Sequence, residues 1–174
     1  MSKKIIIIGI IVLVLALAIT AVNFYVNSNT IKKDLSNNLP GSVFNSHSSI
    51  HMKRGVGEYY WFKTLDQEMD YNITFLDESK LKISVKGYSH AIVYEDNSKK
   101  FYDYDEEKTY HYELNVSFWG TAVISVYDYD TGKSATFELK LDSLNVAESF
   151  EEEGLYNICE PYQTLGGTFR NTKQ

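Results

Sequence analysis

Few residues in this 174-residue chain have the type and spacing to do chemistry. The most suggestive are Asp128, Asp130 and Gly132 in "VYDYDTGKSATFELKL" (126–141), which begin as the oxygen ligands of a calcium loop would. An EF-type loop needs glycine at its sixth position and a bidentate acid at its twelfth. Counted from Asp128, the glycine is fifth and the twelfth residue is Leu139. Asp130-Thr131-Gly132-Lys133 suits a tight hairpin instead, the aspartate bonding its own backbone and the glycine taking a positive φ. The stretch reads as a turn.

His47 and His51 are four apart and would share a helix face as metal ligands do. Their surroundings, "NSHSSIHMKRG", read as a Ser- and Gly-containing loop, with no acid on their C-terminal side before Glu58. His90 and His111 stand alone on strand-like segments. Neither Cys159 nor any serine sits in a nucleophile elbow or another nucleophile signature. Asp103, Asp105, Glu106 and Glu107, like Glu151-Glu152-Glu153, read as solvated turns. The expectation is therefore no catalytic residue, no metal site and no cofactor.

"GEYYWFK" is the most informative polar-aromatic stretch. Glu58, Tyr60 and Phe62 fall on one side of a strand, and Tyr59, Trp61 and Lys63 on the other. Aromatic residues on both faces mean either an interior and a covered exterior row, or a surface offered to a ligand or partner. Tyr59, Tyr60, Trp61 and Phe62, with Trp119, are the candidate partner or ligand surface.

The elements that would position these residues are strands. Tyr71, Ile73 and Phe75 alternate with Asn72 and Thr74, and after a turn at Asp77-Glu78-Ser79 the residues Leu81, Ile83 and Val85 alternate with Lys82, Ser84 and Lys86. Tyr110, Tyr112, Leu114, Val116 and Phe118 form a third inward row, and Ala135, Phe137, Leu139 and Leu141 a fourth. A period of two with one wet face predicts antiparallel sheet. Helical spacing is confined to 144–153. "FYDYDEEKTYHYELNV" from Phe101 and "VYDYDTGKSATFELKL" from Val126 echo one another at an offset of 127 − 102 = 25 residues, which predicts two similar hairpins.

Ile5 to Val22 is a run of eighteen residues without a charge behind Lys3 and Lys4. At about 1.5 Å per residue it covers about 27 Å, enough to cross a hydrocarbon core. It reads as an anchor with a cytoplasmic N-terminus and Phe24 and Tyr25 at the far interface; the alternative is a signal peptide cleaved after Ala18. The expected organisation is 1–4 cytoplasmic, 5–22 spanning or signal, 23–38 a polar tether, 39–170 an extracytoplasmic β-domain, and 171–174 a tail. Without Lys3 and Lys4 the basic count falls from 17 to 15 against 23 acids, a net of −8, which excludes nucleic acid as a partner. A single cysteine forbids an internal disulfide and, in an exported chain, points to a bacterial source.

"LPGSVF" from Leu39, "YNITFLDESKLKIS", "YHYELNV", "GTAVISVYDYDTGKSATFELKLDSL" and "GGTFRN" from Gly166 together resemble the lipocalin-like domains of bacterial exported and anchored proteins. The likeness runs from Leu39 to Arg170. It implies an all-β up-and-down barrel and carries no functional residue over. "YYWFKT", "GTAVISVYD" and "ATFELKL" are similar to the jelly-roll-like sandwich that follows secreted bacterial peptidases, the alternative fold. The function expected is a membrane-anchored, non-catalytic binding module for a protein or small apolar ligand, in an immunity, inhibitor or phage-exclusion role. A structural part of an envelope assembly and an uncharacterised hydrolase are the alternatives.

Overall fold

A computed structural model of the chain describes residues 3–53, 62–93, 95–151 and 168–172, with only the backbone path for 3–8 and 62. Helix α1 (Lys3–Asn38) precedes eight strands: β1 (Val43–Met52), β2 (Phe62–Phe75), β3 (Lys80–Val93), β4 (Lys99–Val116), β5 (Ala122–Asp128), β6 (Lys133–Leu141), β7 (Ala147–Glu151) and β8 (Thr168–Asn171). Each strand pairs antiparallel with the next, and β8 returns to β1 through Phe44 and Asn45, closing a barrel in simple meander order. The sandwich alternative is therefore set aside in favour of the barrel.

The period-two rows do what an amphipathic sheet requires. Tyr71, Ile73, Phe75, Leu81, Ile83, Val85, Tyr110, Tyr112, Ala135, Phe137 and Leu139 are all buried. An eight-stranded barrel has an interior just wide enough for its own side chains. Here aromatic rings fill it: Phe150 stacks on Phe137 at 4.1 Å and on Phe169 at 4.9 Å, and meets Phe44 at 5.3 Å. Phe75 continues the series, edge-on to Tyr112 at 4.9 Å. The lumen is a packed core at this level.

Three local expectations differ. First, 23–38 is no tether. The helix runs unbroken to Asn38, and Ile31, Leu35 and Leu39 at spacing four are buried in the barrel core. Pro40 ends it, and the Gly41 amide donates to the Phe75 carbonyl at 2.6 Å, joining helix to sheet. Second, the described part of the span 144–153 is not helical: β7 occupies Ala147–Glu151. Third, Phe118 does not point inward but lies in the β4–β5 turn, 44% exposed.

The echo also divides. Its second copy is a turn: Asp128 and Lys133 pair across it, Gly132 has φ 70°, and the Gly132 amide donates to the Asp128 carbonyl at 2.8 Å. Its first copy is straight strand, the middle of β4. Glu107 stands where the second copy has glycine. Its carboxylate accepts from Lys82 at 3.1 Å across to β3, so the chain stays in the ladder.

α1 has one stretch, Gly9–Asn38, long and apolar enough to cross a membrane, and the residues of its apolar part are exposed. From Ile5 to Ile31 there is no charged side chain at all.

Candidate interaction surface

The strands are unequal, and this shapes the surface. β2, β3 and β4 have 14, 14 and 18 residues, whereas β5 has seven. β4 pairs with β5 only from His111 to Val116. Beyond His111, toward Lys99, no described strand covers that side of β4. The segment projects from the barrel wall as the margin of a four-stranded sheet. Both of its faces are wet: Phe101, Asp103, Asp105 and Glu107 on the outside and Tyr102, Glu106 and Lys108 on the inside are exposed, while Tyr104 is half-buried. A long open edge of this kind offers backbone donors and acceptors to another strand.

At the fork where β4 leaves β5, Lys108 reaches across to Asp128 at 2.7 Å and Asp130 at 3.6 Å. Asp128 is the aspartate that opens the hairpin turn, and only 2% of its side chain is exposed. The hydrogen bond from Lys108 holds its carboxyl below the ordinary value of 3.8; burial opposes this, and the Thr131 hydroxyl and Asp130 amide add to it. A depressed folded pKa stabilises the protein above the unfolded value, and that contribution fades as the folded group takes up its proton. Asp128→Asn is therefore expected to cost on the order of 1–2 kcal/mol at neutral pH. Thermal melts should show the gap undiminished at pH 6 and narrowing once the pH drops through 3.8. A gap that widens in acid would contradict this account.

The outer face of β1–β4 is built from cross-strand rows. His47, Asp70, Lys86 and Asp105 lie opposite one another in sequence across four strands, as do His51, Asp66, His90 and Phe101. His47 Nδ1 is 2.8 Å from Asp70, His51 Nδ1 2.5 Å from Asp66 and Lys86 Nζ 3.6 Å from Asp105. Such cross-strand pairs, two hydrogen-bonded and one oppositely charged, stabilise a sheet face without needing burial. An open polar groove of about 620 Å³ borders the first of these rows at His47, Asp70 and Lys86, beside Asn72, Lys82 and Glu107. The hydrogen bond from Lys82, helped by Ser84, lowers the Glu107 carboxyl.

The expectation that His47 and His51 lie in a loop is corrected. Both are on β1, their side chains on the same outer face, each engaged by a different aspartate of β2. Among the described residues no three of His, Cys, Asp or Glu converge to hold a metal ion. Of the candidate surface, Tyr59, Tyr60 and Trp61 lie outside the described residues, as does Cys159. Phe62 opens β2 opposite Val93, at the end of the barrel away from the helix. Trp119 is in the β4–β5 turn at the helix end, 5.0 Å from Phe24. Phe62 and Trp119 therefore do not share a surface. The open margin of β4 is the feature that sequence reading missed. Its signal was polar residues on both sides of the strand, in place of one apolar row.

Compared with known proteins, the chain matches no family model, no curated protein and no solved structure.

Proposed function

We propose that this chain is a non-catalytic binding module, held at the outer face of a bacterial membrane by α1, and that it recognises a polypeptide by strand addition. The observation that carries this reading is the margin of β4 over 99–109, wet on both faces and covered by no strand among the described residues. Strand addition gains affinity from backbone hydrogen bonds and specificity from alternate side chains. Phe101, Tyr102 and Tyr104 supply the latter, with Tyr102 and Tyr104 stacked at 6.3 Å. A small apolar ligand is the weaker choice, because Phe44, Phe75, Phe150, Phe169 and Leu35 already fill the interior at their level. The likeness to lipocalin-like domains stays part of the proposal. The meander order supports it, and the packed lumen sets this chain apart from a carrier of that shape.

The orientation belongs to the same proposal: Lys3 and Lys4 inside, the barrel outside. The reading is tested by a photo-cross-linking phenylalanine analogue at Phe101 in the intact chain in cells, with Glu138 on the wall strand β6 as control. Glu138 is exposed but its strand is paired on both sides. A discrete polypeptide adduct from Phe101 and none from Glu138 is expected. Adducts from both positions alike, or from neither, would remove the strand-addition reading.

A further inference from the structure

The β4–β5 turn, Ser117-Phe118-Trp119-Gly120-Thr121, carries no charge and presents two large rings. Trp119 is 71% exposed and Phe118 44%. Exposed aromatic pairs at a turn tip call for an explanation. Their neighbour supplies one. Phe24 of α1 lies 5.6 Å from Phe118 and 5.0 Å from Trp119, and the two rings of the turn are 5.4 Å apart. Phe24 is two residues, about 3 Å of helix, past the end of the apolar run at Val22.

The turn cannot drift from that height. The Ser117 amide donates to the Thr121 carbonyl at 2.8 Å, the Gly120 amide to the Ser117 carbonyl at 3.0 Å, and the Thr121 amide to Ser117 Oγ at 3.0 Å. The helix is fixed just as firmly. Ile31, Leu35 and Leu39 are buried in the barrel, and Asn145 of the β6–β7 turn donates to Asp34 at 2.9 Å. Helix and turn are thus both anchored to the same barrel.

We propose that Phe118 and Trp119 form a second membrane contact, inserted in the interfacial zone of the bilayer that α1 crosses. This rests on α1 being a membrane anchor. The uncharged run from Ile5 to Ile31 is 27 residues. At about 1.5 Å each it covers about 40 Å, the hydrocarbon core plus its headgroup layers. Phe24, and with it Trp119, falls within the outer part of that length. Tryptophan favours this layer because its ring is apolar and its N–H finds a polar partner there. The occupant is the lipid itself, and anionic headgroups are not required, since the turn has no cation to meet them. The consequence is a barrel held against the membrane at a set angle, in place of one swinging on a leash.

The chain has two tryptophans, so Trp61→Phe leaves Trp119 as the sole reporter. This full-length variant is placed in phosphatidylcholine vesicles carrying quenchers at shallow or deep acyl positions, with acrylamide as the aqueous quencher. Shallow label is expected to quench Trp119 roughly twofold more than deep label, with acrylamide access reduced to a similar degree relative to the unfolded chain. A second chain, Trp61→Phe with Trp119→Phe and Phe24→Trp, reports on the helix. If the helix reporter is quenched by lipid while Trp119 of the first chain is reached only by acrylamide, the anchor stands and the second contact is overturned. If neither is quenched and an alkaline wash strips the chain from the vesicles, the anchor reading fails and takes this inference with it.

Discussion

Gly87→Ala is expected to cost more than about 3 kcal/mol, the largest effect of any single methyl group in the barrel. Gly87 sits in the middle of β3, opposite Met69 of β2 and Tyr104 of β4, with φ 147°. A Cβ there would lie 2.0 Å from the Glu68 carbonyl oxygen and 2.9 Å from the Met69 Cα. Both obstacles are backbone, and neither can rotate away. β2 cannot retreat either, because it is held in register on both sides, by β1 over ten residue pairs and by β3. Gly132 gives the control. It too has a positive φ, 70°, but nothing lies within 4 Å of its would-be Cβ. Gly132→Ala should lose only the left-handed backbone penalty, about 1 kcal/mol. Urea unfolding of the two variants separates the effects: equal losses would mean that β2 and β3 are free to part at Gly87.

Much of the barrel was legible because a period of two is a local property. Tyr71, Ile73 and Phe75 need only their own strand to be sorted from Asn72 and Thr74. What escaped was set by contacts outside the segment. In β7, Ala147 and Phe150 both face inward although they are three apart. The ladder explains it: Leu139 pairs with Phe150 and Lys140 with Ser149, but Leu141 pairs with Ala147, leaving Glu148 as an extra residue at a bulge. A bulge that turns a spacing of two into three imitates helical spacing, hence the helix expected over 144–153. Ile31, Leu35 and Leu39 carried a true helical stripe. It was hidden because a boundary drawn after Asn38 assigned Leu39 to the sheet and left two apolar residues among polar ones.

The open margin of β4 was obscured by a similar ambiguity. Charges on both sides of a segment look like a turn, and the first copy of the echo has that pattern. Only the pairing with β3 shows that Asp103, Asp105 and Glu107 form an outer row facing His90, Lys86 and Lys82. The interaction surface thus depends on the partner strand's residues, which lie about twenty positions earlier in the chain. The candidate aromatic set met a different limit. Phe62 and Trp119 share a residue class, and the meander sends them to opposite ends.

The burial of the helix end has a consequence that a tether would not. A chain beginning at Asn23 keeps Ile31, Leu35 and Leu39 and is expected to fold into a barrel with one cooperative melt. A chain beginning at Ser42 loses all three. Leu35 and Leu39 are almost fully buried and Ile31 is 6% exposed. At about 1.5–3 kcal/mol for each buried aliphatic side chain, removal of the three costs roughly 4.5–9 kcal/mol, an upper figure because the unfolded chain already hides some of that area. Domains are commonly stable by about 5–15 kcal/mol. The shorter chain should therefore bind a hydrophobic dye and lose its cooperative transition, with the rings of Phe75 and Tyr112 opened to water at the uncovered mouth. Leu35→Asp in the longer chain should reproduce most of this defect with one buried, unpaired charge. Were the Ser42 chain to melt within a few degrees of the Asn23 chain, the helix would be a passenger on the barrel. A turn whose height is set through that helix would then have no fixed depth in the membrane.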